Sequence, residues 1–101
     1  MEAGSMEERE KKSDPRKEIL VRQIGAKIAY YRTLRDMSQK ELARKASIST
    51  SSLSKIERGK YNDNISVSLL MDIADGLQID LTLLVTFSDL EKNMWWKPIH
   101  D

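Results

Sequence analysis

With 101 residues, 17 Lys and Arg against 16 Asp and Glu, a formal net charge of +1 and no cysteine, the chain has room for one small domain and excludes a disulfide framework or a Cys-based zinc site. Its charged start and the lack of any apolar run longer than four residues predict neither a signal peptide nor a spanning helix, so a reducing cytoplasm is the expected location. The charge is unevenly placed. Residues 38–62 carry Lys40, Arg44, Lys45, Lys55, Arg58 and Lys60 against Glu41 and Glu57, a balance of +4, whereas residues 66–101 carry two basic against six acidic side chains, a balance of −4. A basic middle is the footprint of a polyanion partner, although a solvated helix pair can show the same charge.

Residues 1–13 are expected to form a disordered tail, its opening MEAGS a vector-derived remnant. Asp14 followed by Pro15 predicts a helix start: the Asp accepts from free backbone N–H groups, and the Pro sits where its missing N–H costs nothing. Leu20, Ile24, Ile28 and Tyr31 then recur at helical spacing to about Arg35. Ser38 and Glu41, three apart, form a capping box for a short second helix that turns Leu42 and Ala43 inward and stops near Ala46 or Ser47.

The next stretch, SISTSSLSKIERGK over residues 47–60, places six hydroxyl side chains between Ser47 and Ser54 and could pass for a Ser-rich linker. Its apolar residues argue otherwise. Leu53 and Ile56 form one stripe, with Thr50, Ser51, Ser54, Lys55 and Arg58 on the other side; Ser49 is the natural N-cap and Gly59 the stop. After the loop KYNDN, Ser66 caps a fourth helix with Val67, Leu70, Met71, Ala74 and Leu77 on one face.

Residues 78–88, QIDLTLLVTFS, alternate differently. Ile79, Leu81, Leu83, Val85 and Phe87 are apolar at period two, with only Leu84 out of step, which predicts a β-strand. A lone strand cannot satisfy its own edges, so pairing with a second copy across a two-fold axis is expected, with these five residues as the dimerisation set and Ile19 and Leu20 helping to cover them. A fifth helix is the alternative. In the tail, LEKNMWWKPIHD, Trp95 and Trp96 either pack back on the domain or dock a protein partner.

Two short helices joined by a tight turn, the second with a small polar outer face, are the physical pattern of a helix-turn-helix. The words IGAKIAYYRTLRDMSQKELARKA and ISTSSLSKIERGK extend that pattern: residues 24–77 resemble the Cro and lambda-repressor class of DNA-binding domains, the XRE family. The resemblance implies that Gln39 opens the motif, that Ala43 lets its helices cross closely, and that Ile48, Leu53 and Ile56 hold the second helix on the first. Ser47 and Asp36 stand where the family commonly has Gly, and the loop after Gly59 is longer, with Asp63 added. The resemblance also implies base contacts from Thr50, Ser51, Ser54 and Lys55, and phosphate contacts from Gln39, Ser49, Arg58, Lys60 and Tyr61, made by a helix lying in the major groove. Glu57 reads as a structural partner for a neighbouring cation, Ser52 as a small residue near the turn, and Arg44 and Lys45 as a solvated face.

The expectation is therefore a mostly α protein. A lambda-repressor-like domain of four helices over residues 14–78 is followed by a dimerisation strand and tail over 79–101. Its function is that of a dimeric, sequence-specific repressor binding an inverted repeat in double-stranded DNA, or alternatively of an antitoxin that also represses its own operon. Enzymatic function is disfavoured: His100 is the only histidine, and there is no nucleophile constellation, paired-carboxylate site or glycine-rich phosphate loop, so no cofactor and no metal are implied.

Overall fold

A computed structural model describes residues 14–61 and 64–96. Six helices follow one another: α1 (Pro15–Leu34), α2 (Gln39–Ala46), α3 (Thr50–Glu57), α4 (Val67–Leu77), α5 (Thr82–Val85) and α6 (Asp89–Trp96). The expectations for the tail 1–13, for Asp63 and for the end of the chain from 97, His100 included, lie outside the described residues.

The first four helices begin where a side-chain oxygen can accept from a free N–H: Asp14 from Arg16, Ser38 from Glu41, Ser49 from Ser52 and Ser66 from Leu69. All four also end alike. Asp36, Ser47, Gly59 and Gln78 are left-handed, at φ 55°, 60°, 71° and 58°, and the next residue's N–H reaches back five positions: Met37 to the Arg32 carbonyl at 3.1 Å, Ile48 to Ala43 at 3.0 Å, Lys60 to Lys55 at 2.8 Å and Ile79 to Ala74 at 3.0 Å.

The core lies between α1, α2, α3 and α4 and is closed by α5. Ile28, Leu42, Leu53, Ile56, Ile73, Leu77 and Leu84 are its fully buried side chains. α4 differs from its expected face. Leu70, Ile73, Ala74 and Leu77 point inward, while Val67 and Met71, at the edge of that arc, are exposed. The closest approach is made by Gly25, where a Cβ would collide with the Ile56 carbonyl oxygen and lie 2.9 Å from that of Glu57.

The expected strand and its pairing across a dimer are overturned. Among the described residues there is no β-strand, and residues 78–88 form the left-handed cap at Gln78, a turn, α5 and an extended link to α6. The physical reason is Leu84. The residue that broke the alternation is fully buried, whereas Leu83 and Val85 on either side are exposed. Asp80 starts the turn by accepting from the Thr82 N–H at 2.9 Å, and Ile79, Leu81 and Phe87 pack against the same core as Leu84, which a strand would turn to the opposite face. Ile79, Leu81 and Phe87 of the expected dimerisation set are half-buried against the core, and Leu20 packs on the core rather than on a strand.

The described part of the tail forms α6. Ser88 and Glu91 form a reciprocal capping box, the Ser88 N–H donating to Glu91 Oε1 at 2.7 Å and the Glu91 N–H to Ser88 Oγ at 3.1 Å. α6 lies along α1. The Trp95 indole N–H donates to Gln23 Oε1 at 2.7 Å, Gln23 Nε2 donates to the Glu91 carbonyl at 3.0 Å, and Lys27 pairs with Glu91 at 3.2 Å. Phe87 meets Trp95 edge to face, with ring centroids 5.5 Å apart.

Candidate nucleic-acid interface

The α2–turn–α3 unit is held from inside by Leu42, Ala43, Ala46, Leu53 and Ile56, all buried. With Leu53 and Ile56 inward, helical geometry turns Ser51 and Lys55 outward and sets Thr50 on the flank at the first turn, and all three are exposed. Ser52 and Ser54 are half-buried. The Ser49 hydroxyl is committed to its own helix, accepting from the Ser52 N–H and donating to Ser52 Oγ, both at 2.9 Å.

A groove of about 480 Å³ opens between α2 and the start of α3, with Lys40, Arg44, Ile48, Ser49 and Thr50 on its walls. Lys40, Arg44, Lys45, Lys55, Arg58 and Lys60 are all exposed, and none is in an ion pair among the described residues. Glu41 also lines the groove, so the surface around α3 carries an excess of positive charge with one carboxylate among the cations. Arg58 lies back along its helix, donating to the Ser54 carbonyl at 3.3 Å, and half-buried Tyr61 packs against the core.

One expected contact residue is engaged inside. Gln39 donates to Glu57 Oε1 at 2.9 Å, and Glu57 also receives both Nε (2.7 Å) and Nη2 (3.1 Å) of Arg32. Arg32 Nη1 donates in turn to the Met37 carbonyl at 2.8 Å, and its bond to Glu57 raises the guanidinium pKa. This cluster ties the end of α1, the turn before α2, the first residue of α2 and the last of α3 together, so it sets how α3 sits against α2. Glu57 is thus the structural partner its position suggested, while Arg32 was not singled out; its place beside Glu57 depends on contacts 25 residues apart.

A model of the helix-turn-helix family matches residues 28–84. An uncharacterised transcriptional regulator in the ATPase CF(0) region of Rhodospirillum rubrum is 36% identical over 78 residues, which cover 77% of this chain and 66% of that protein. An uncharacterised helix-turn-helix-type transcriptional regulator of Methanocaldococcus jannaschii is 32% identical over 54 residues, 54% of this chain and 82% of the relative. Among solved structures, the restriction-modification controller protein C.AhdI from Aeromonas hydrophila superposes with a TM-score of 0.58 at 29% identity, covering 64% of this chain and 94% of that one. The clp gene regulator ClgR from C. glutamicum superposes with a TM-score of 0.61 over 73% of this chain and 88% of that one; at 24% identity it is a likeness of fold alone.

Proposed function

The chain belongs to the helix-turn-helix family of DNA-binding transcriptional regulators, and from that premise we propose that it acts as a dimeric repressor whose two copies set α3 into successive major grooves of a near-palindromic site. The observation that carries this reading is the outer face of α3: exposed Ser51 and Lys55 opposite buried Leu53 and Ile56, with exposed Thr50 on the flank, ringed by cations without acidic partners among the described residues. Lys55, with Thr50, Ser51 and Ser54, reads base edges. Arg58, Lys60, Tyr61 and the capped end of α3 at Ser49 meet phosphates, and Gln39 reaches one only through the second N–H of the amide that is bonded to Glu57. A lysine on guanine acceptors contributes about 1–3 kcal/mol of discrimination, whereas hydroxyls choose weakly between bases. Two copies with reading helices about 34 Å apart therefore supply selectivity that one copy lacks.

On this reading the protein works in the cytoplasm. No described helix is long and apolar enough to cross a membrane. The antitoxin alternative keeps Trp96 as a partner anchor but loses Trp95, whose indole is bonded to Gln23.

Footprinting on the chain's own promoter region over a salt series tests the proposal. The specific complex is expected to weaken steeply as salt rises, and Lys55→Ala to reduce preference for the protected site more than affinity for unrelated duplex. Equal loss on every sequence would reassign Lys55 to the backbone. The absence of any protected site would overturn the repressor reading.

A further inference from the structure

We propose that two copies of the chain associate through a composite apolar flank formed by α1, α5 and α6, with α6 an integral part of the interface; this rests on the dimeric reading above. On α1, residues Arg16, Leu20, Gln23, Lys27, Tyr30 and Leu34 follow one another at alternating steps of four and three, which aligns them in a single stripe. α6 occupies the first half of that stripe. Gln23 holds Trp95 and Glu91, Lys27 pairs with Glu91, and Arg16 lies 4.9 Å from the Trp96 ring centre. The second half is open: Tyr30 is 59% and Leu34 63% exposed. Gly25, where α3 crosses, is about half a turn round α1 from Gln23, so an occupant of the stripe leaves the reading helix free.

α6 supplies the adjoining surface. Glu91 and Trp95 face α1, and the residue before each, Leu90 and Met94, lies on the neighbouring flank, 75% and 48% exposed. Met94 Sδ is 3.9 Å from Gln23 Nε2, so this flank begins at the edge of the α1 stripe. α5, which packs on α1, has Leu83 and Val85 exposed at 40% and 41%.

Area and symmetry identify the occupant. Leu83 and Val85 alone offer on the order of 100 Å² of free apolar surface, far short of the roughly 800 Å² per partner of a stable interface. Tyr30, Leu34, Leu90 and Met94 raise this to on the order of 600 Å², and polar rim residues can supply the rest. Because Leu90 and Met94 are one turn apart, an antiparallel two-fold pairing of α6 with itself seats Leu90 of one copy on Met94 of the other. Lys92 falls on the other side of the helix, so the pairing brings no like charges together at its centre.

Sedimentation equilibrium of the full chain, from nanomolar to high micromolar concentration, tests this. Leu90→Glu with Met94→Glu is expected to raise the dimer dissociation constant at least about tenfold with helical circular dichroism unchanged, since α6 buries no side chain in the core. Gln23→Ala is expected to weaken the dimer in the same direction, with a red shift of tryptophan emission as α6 is released. Binding to a single half-site is expected to stay as it was in both. If the pair on α6 leaves the dimer constant unchanged while Leu83→Glu with Val85→Glu abolishes the dimer, α6 has no part in it and the dimeric reading alone survives. A chain that is monomeric throughout overturns both.

Discussion

Replacing Arg32 by Met would strip Glu57 of the one cation paired with it among the described residues. The Glu57 side chain is 5% exposed and that of Arg32 19%, so the pair lies well out of water and its loss is not that of a surface salt bridge. Breaking a buried pair from one side costs about 3–5 kcal/mol because a charge is left uncompensated. Glu57 keeps the Gln39 bond, and Met37, whose carbonyl loses its Arg32 donor, is a half-exposed residue within reach of water; both place the expected loss near the lower figure, about 3 kcal/mol. For a domain of this size that lowers the melting temperature by roughly 12–24 °C. In urea, with a slope of about 1 kcal/mol per molar, the midpoint moves down by about 3 M. The companion variant, Arg32→Met with Glu57→Leu, removes both charges and is expected to recover at least half of the loss. Urea titration followed by circular dichroism measures all three proteins. A loss under about 1 kcal/mol for the single variant would place the pair in the surface class, and a double variant no more stable than the single would refute the reasoning.

Three further outcomes follow from the same geometry. Gly25→Ala should destabilise by about 1–3 kcal/mol through overpacking, in spite of the roughly 1 kcal/mol that Ala gains over Gly in a helix; because the new methyl presses on the carbonyls of Ile56 and Glu57, footprinting should also show weaker site protection. Ser49→Ala should cost about 1 kcal/mol of stability through the lost cap, whereas Ser51→Ala should stay within about 0.5 kcal/mol and act on DNA binding instead. Glu91 has a lowered pKa, chiefly from the Ser88 N–H with Lys27 adding to it. Its contribution is therefore complete above the ordinary carboxylate value and fades as the pH falls through the lowered one. Tryptophan emission should shift to the red over that acid range as α6 leaves α1, and Glu91→Gln should flatten the dependence.

How much of this was legible in the sequence depended on the range of the interactions. Capping and turn geometry act over a few residues, so Asp14, Ser38, Ser49 and Ser66 marked helix starts, and Ser47 marked a left-handed turn, in the places where the structure has them. The same local rule predicts α6 from Ser88 and Glu91, a pair that the neighbouring tryptophans and the apparent strand overshadowed. The inner stripe of Leu53 and Ile56 followed from period alone, and with it the polar outer face of α3.

Residues 78–88 are the opposite case. Alternating apolar residues are compatible with a strand, but the alternation carries no information on whether a second strand exists to satisfy its edges. Burial of Leu84 under α1 gains more than pairing with nothing, and the chain turns into α5. Contacts between distant segments settled the rest. Trp95 finds Gln23 across 72 positions, and Gln39, placed by sequence among the phosphate contacts, is drawn inward because Glu57, already held by Arg32, has an oxygen within its reach. By itself the sequence determined where helices start, how two of them end and which face of α3 is polar, because those depend on neighbours a turn away. Only the tertiary structure decided what each helix leans on, because the partner atoms come from parts of the chain that no local pattern connects.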